Sequence, residues 1–159
     1  MKEGSVEIVE RVVIAASPAL TFDLVASPRG MLLFKGFGMV PGIERVEQGS
    51  RERTVGTEDV VHNTDGTWHR ERVTELSPSE RYALRIGPFA SPLKHLVEWV
   101  EERWELTPGS GGTHVRRALL VMPRGRIARF VVRWLLAPQL RAALRRNHDA
   151  LRQALEGAS

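Results

Sequence analysis

The sequence contains no cysteine. That excludes a disulfide scaffold, a thiolate metal site and a cysteine nucleophile. No apolar run approaches the ~20 residues of a membrane-spanning helix. The opening residues Met1 to Glu7 lack the apolar stretch of a signal peptide, so a cytoplasmic protein is expected. Lysine is scarce: among 23 basic residues only Lys2, Lys35 and Lys94 are not arginine. Aromatics make up 6% of the chain, with a single tyrosine, and they do not interleave with the arginines as a nucleic-acid platform requires. No nucleic-acid partner is expected. There is no nucleophile elbow, and Gly36-Phe37-Gly38 lacks the strand-turn-helix context of a phosphate loop.

What is present suits one folded domain over residues 1–159, a length that buries roughly 70% of the unfolded surface. The apolar fraction of 42% is ordinary for a globular chain. The net charge of +4 is unevenly spread. From Thr113 onward ten arginines face only Asp149 and Glu156, so the preceding part is net acidic.

Alternation predicts a first strand over residues 6–14. Ser17-Pro18 and Ser27-Pro28 each supply an N-cap followed by proline at the first helical position, predicting short helices to about residue 26 and over 29–35. Strands are expected over 43–47, 51–62, 68–76, 81–86, 94–106 and 113–122. A terminal helix should span 125–155, with Pro138 kinking it. Asp65-Gly66 suits a two-residue hairpin loop pairing Thr64 with Thr67 and hence His62 with His69. Pairing Leu106 with Thr113 sets Glu102 opposite Arg117, the two exceptions on an otherwise apolar face.

This order of elements, with Ala16 to Phe22, Glu71 to Pro78, Trp104 to Thr113 and Asn147 to Leu155, resembles the START-like, or SRPBCC, helix-grip superfamily. The nearest likeness is to its polyketide cyclase/dehydrase-type bacterial branch. The resemblance implies an α+β fold: a curved antiparallel sheet of about seven strands around a long C-terminal helix, with two short helices after the first strand. It also implies an apolar small-molecule ligand (a lipid, polyketide or aromatic metabolite) held between sheet and helix. No cofactor or metal is implied. The enzymatic alternative is a polyketide aromatase or cyclase, with Arg117 stabilising an enolate and Glu102 or His69 moving protons.

Candidate ligand-binding residues are Phe34, Phe37, His69, Tyr82, Glu102, Trp104, Arg117, Phe130 and Trp134. Glu102 and Arg117 read either as a pair orienting a polar ligand group or as a structural cross-strand ion pair. His62, His69 and Glu71 read as a zinc site lacking a further ligand, as a proton-transfer cluster, or as polar surface at a hairpin tip or cavity rim. The rings are wall or lid candidates, or plain core, and Phe37 between two glycines is a gate candidate. The mouth is expected between the Gly36-Phe37-Gly38 loop and the terminal helix near Phe130 and Trp134. Arg126, Arg129 and Arg133 form a stripe that reads as a solvated face or as a contact for an anionic membrane. The oligomeric state is not legible in the sequence.

Overall fold

Five antiparallel hairpin connections and one long-range pairing build the main sheet. The computed structural model describes residues 2–157. Strand β1 (Val6–Ile14) leads into helices α1 (Pro18–Val25) and α2 (Pro28–Met31). A small hairpin of β2 (Gly36–Phe37) and β3 (Val40–Pro41) follows. Then come β4 (Ile43–Glu47), β5 (Glu58–Asn63), β6 (Trp68–Ser77), β7 (Arg81–Phe89), β8 (Val97–Gly109) and β9 (Gly112–Pro123). The seven-stranded sheet has the order β1-β9-β8-β7-β6-β5-β4, so the first and last strands pair and both short helices lie in the connection to β4. The terminal helix runs through α3 (Gly125–Val131), a widened π-helical turn (Val132–Leu136) and α4 (Ala137–Glu156). This is the helix-grip arrangement.

The two Ser-Pro signals work locally as expected. Ser17 Oγ accepts from the Leu20 N–H and Ser27 Oγ from the Gly30 N–H, each satisfying a donor the first helical turn leaves free. The second helix ends at Met31, shorter than expected; beyond it the chain continues in tighter three-residue turns, with the Leu33 N–H donating to the Gly30 carbonyl and the Phe34 N–H to that of Met31. Residues 51–57 are not strand. There the Thr57 hydroxyl accepts from the Thr54 N–H, and Arg53 reaches back to the buried Asp59 carboxylate, folding the segment into a loop before β5.

Both hairpin registers differ from expectation, for different reasons. At Asp65-Gly66 the Asn63 N–H donates to the Thr67 carbonyl and Gly66 donates back to Asn63, giving a three-residue loop with Gly66 at φ 85°. His62 therefore opposes Trp68, and His69 opposes Val61. A one-residue shift exchanges faces, so His62 points away from His69 and sits 3.3 Å from Glu47 on the outer side. In the long hairpin, Gly109 pairs with Gly112, which slides the register by two residues: Trp104 opposes Arg117 and Glu102 opposes Leu119. A shift of two preserves the faces, and Glu102 and Arg117 stay on the inner side as diagonal neighbours.

Two apolar clusters fill the grip. One joins Ile14, Phe22, Tyr82, Trp104 and Leu151 under the short helices; the other joins Ile8, Val97, Val121, Val132 and Leu144 nearer the start of the terminal helix. Between them the packing does not close.

Candidate functional site

The space left between sheet and helix is a cavity of about 270 Å³, near the lower end of the range for small-molecule sites. Apolar side chains from β7, β8, β9 and α4 form its walls, Leu84, Val100, Leu119 and Leu144 among them. Met39, Val131 and Leu135 also line it and are partly or largely exposed, as are Asp65 and Trp68 at the β5–β6 turn and Pro92 after β7, so its open side runs from the β2–β3 hairpin and the first part of the terminal helix to those two segments.

Arg117 and Glu102 meet at the wall of this space. Arg117 donates from Nε (3.0 Å) and Nη2 (2.7 Å) to Glu102 Oε2, and Trp104 Nε1 donates to Glu102 Oε1 at 2.9 Å. Both carboxylate oxygens are thus engaged. The guanidinium also donates from Nη1 to Asn147 Oδ1 at 2.8 Å, and it lies 4.0 Å from the Trp104 ring centroid. Arg117 is 5% exposed, so an unpaired charge there would be costly; the pair is neutral and hydrogen-bonded, as a buried ion pair must be. Spare donor capacity remains. Asn147 Nδ2 and the Tyr82 hydroxyl are buried and have no hydrogen-bond partner among the described residues, and both residues line the cavity. Burial, reinforced by the Glu71 and Glu102 carboxylates, pushes the Tyr82 phenol above its ordinary value despite the opposing pull of Arg53. The phenol stays protonated and able to donate.

A second polar chain lies on β5 and β6. Asn63 Nδ2 donates to His69 Nδ1 at 3.2 Å, which leaves the imidazole proton on Nε2, and that nitrogen donates to Glu71 Oε1 at 3.0 Å. All three residues line the cavity. His62 is not part of this cluster.

Of the residues singled out from sequence, Phe34, His69, Tyr82, Glu102, Trp104 and Arg117 share the cavity lining. Phe37, Phe130 and Trp134 do not: all three are exposed, outside the lining formed by their neighbours Met39, Val131 and Leu135. The glycine loop is also tied down. Met39 N–H donates to Gln139 Oε1 at 2.6 Å, so the β2–β3 hairpin is fastened to α4.

Asn63, Asn147 and His148 went unnoticed in the sequence. For the last two a signal existed: they follow Leu144 by three and four positions, inside the apolar stripe that Leu140, Leu144, Leu151 and Leu155 form at helical spacing, where a polar side chain needs a reason. His148 packs edge-on to Trp104, with ring centroids 6.0 Å apart. Burial, and secondarily the Arg117 charge, pushes its imidazole down to about 3.

The sequence profile of the family described as "polyketide cyclase / dehydrase and lipid transport" matches residues 5–156. The chain belongs to that family. Among solved structures, the polyketide cyclase/dehydrase-family chain is similar to Ara h 8.0201, at 15% identity and a TM-score of 0.74 over 97% of this chain and 99% of that one. It is similar to ginseng major latex-like protein 151 from Panax ginseng, at 9% identity and a TM-score of 0.72 over 95% and 97% of the two chains. It is also similar to TTHA0849 from Thermus thermophilus, at 17% identity and a TM-score of 0.70 over 97% and 99%. At these identities the likeness establishes the fold, the START-like helix grip, and nothing finer. No curated protein matches the chain in sequence.

Proposed function

We propose that this polyketide cyclase/dehydrase-family chain binds a largely apolar small molecule non-covalently in the sheet–helix cavity. A neutral oxygen acceptor of the ligand, a carbonyl or hydroxyl, turns toward Tyr82, Asn147 and Arg117. The observation that carries this reading is the charge-balanced polar group set into an apolar wall with donors to spare. Three guanidinium N–H groups are spoken for by Glu102 and Asn147, and Glu102 already cancels the charge. A ligand carboxylate would have to compete with Glu102, whereas a carbonyl needs only the unused donors. Lipids, polyketides and aromatic metabolites offering such a group are the expected class.

Native mass spectrometry of the purified protein, with extraction of whatever co-purifies, tests the reading directly. Calorimetric titration with a long-chain ketone and a fatty acid of equal length sharpens it. The ketone should bind more tightly, and Tyr82→Phe with Asn147→Leu should weaken it by about 1–3 kcal/mol. An empty protein that takes up neither compound would sink the proposal.

A second reading, cyclisation of a poly-β-carbonyl chain, draws support from the Asn63-His69-Glu71 chain lining the same cavity. Glu102 is a poor proton carrier because both of its oxygens are occupied, and both ring nitrogens of His69 are occupied too, so Glu71, held by His69 through Oε1, would take that role. Turnover of a poly-β-carbonyl substrate that falls in Glu71→Gln while ligand affinity holds would establish it. Turnover indifferent to Glu71→Gln and His69→Asn would remove it.

A further inference from the structure

The start of the terminal helix presents an apolar stripe to solvent. Ile127 is 84% exposed, Phe130 67% and Trp134 64%, and the Phe130 and Trp134 rings lie 6.5 Å apart. Side chains that large are normally buried or engaged. At about 100° per residue, the helix surface divides into sectors. Ala128 and Val132 face the core, and Val131 and Leu135 line the cavity. Next comes the exposed stripe of Ile127, Phe130 and Trp134, followed by Arg126, Arg129 and Arg133. Among the described residues, none of these three arginines forms an ion pair with an acidic side chain, although ten other charged pairs of Arg or Lys occur elsewhere. Met39, also exposed, extends the apolar surface across the cavity's open side.

We propose that this surface docks on an anionic lipid bilayer, with Ile127, Phe130 and Trp134 entering the headgroup–acyl boundary and the arginines meeting lipid phosphates. Apolar side chains beside a basic flank are the pattern of a helix lying in a membrane interface, and tryptophan favours that depth. Charge argues against a second copy of the chain as the occupant, since a two-fold contact would bring unpaired arginines of both copies together. Continuity argues for lipid: the stripe adjoins residues that line the cavity, so an apolar molecule would pass between bilayer and cavity without crossing water. The side chains that enter the bilayer, Ile127, Phe130 and Trp134, lie outside the cavity lining, so the docking surface stands apart from the ligand-binding reading.

Co-sedimentation with phosphatidylcholine vesicles, with and without about 30 mol% phosphatidylglycerol, tests this. The full chain should sediment with the anionic vesicles and release as salt rises. The double variant Phe130→Ser/Trp134→Ser should lose at least about tenfold in partitioning. The triple variant Arg126→Gln/Arg129→Gln/Arg133→Gln should lose its preference for phosphatidylglycerol. Thermal unfolding of both variants should match the parent, because the altered side chains are exposed. Co-purified ligand is measured in the same preparations: vesicle binding lost with ligand retained separates the docking surface from the cavity. Absence of sedimentation at low salt, or equal sedimentation of the double variant, would overturn the proposal. So would a concentration-dependent dimer in analytical ultracentrifugation that the double variant abolishes, which would assign the stripe to a second copy.

Discussion

The two halves of the terminal helix carry similar residues and meet opposite fates. Both are rich in arginine and in large apolar side chains. In α4 the apolar stripe is enclosed: Ala143 and Leu144 are fully buried and Leu151 nearly so. In α3 only Ala128 is buried, and Ile127 and Phe130 face solvent. The halves also differ in polar contact with the sheet. Asn147 accepts from Arg117 and His148 packs on Trp104, whereas α3 makes no such link among the described residues. Amphipathicity decides that a helix has a face; in α3 the sector of Ala128 is covered, while Ile127 and Phe130 belong to a sector that turns away from the core. The break falls where the helix changes its winding. Pro138 has no N–H to give, and the turn before it widens so that the Ala137 N–H reaches the Val132 carbonyl.

The polar contact beneath α4 offers the largest test of this contrast. Arg117→Ala would strand the Glu102 carboxylate in the interior and free Asn147 Oδ1, a loss of about 3–5 kcal/mol in urea unfolding. Adding Glu102→Leu should return part of that loss, because the buried charge goes with it. No such effect is available to Arg126→Ala or Arg129→Ala, whose side chains form no ion pair among the described residues.

Packing provides the next test. Leu144→Ala should lower stability by about 2–5 kcal/mol, since the fully buried side chain leaves a void that its neighbours fill only in part. Phe130→Ala removes a larger side chain yet should change stability by no more than about 0.5 kcal/mol. Comparable losses in the two variants, read by thermal unfolding, would mean that the halves are covered alike.

The pH dependence of stability separates the halves further. His148 is held down to about 3 in the folded chain against an ordinary value of 6.5, so the unfolded chain binds the proton first. Stability from this group is complete above about pH 6.5 and falls as pH drops toward the folded value, by about 2 kcal/mol between pH 6.5 and 5. His148→Phe should flatten that part of the profile. A smaller effect belongs to the junction: Gln139→Ala removes the acceptor for the Met39 N–H and should cost about 0.5–1.5 kcal/mol, together with faster amide exchange at Met39.

Much of the fold was legible because it rests on short-range rules. The Ser-Pro caps, the strand faces set by alternation, and the long helix with its leucine stripe depend on neighbours within a few residues, and those neighbours are written side by side. The inward setting of Glu102 and Arg117 followed from alternation alone and survived a two-residue error in register, since a shift of two leaves every face unchanged. The Asp65-Gly66 loop had no such protection. One extra loop residue moved His62 to the outer face and replaced the expected histidine pair with Asn63, His69 and Glu71. Loop length there is decided by the hydrogen bonds of Asn63 with Thr67 and Gly66, which Asp-Gly permits but does not dictate.

Residue pattern thus marked most of the strands and the long helix, and set two charged residues on one otherwise apolar strand face. The pairing register, the joining of Arg117 to Asn147 across the cavity, the burial of His148, and the exposure of Phe130 and Trp134 came only with the tertiary structure. Each depends on a segment distant in the chain: how many residues a loop takes up, and which sector of the helix packs on the sheet. A local pattern carries no record of that distance, because apolar periodicity specifies a face to be covered without specifying what covers it.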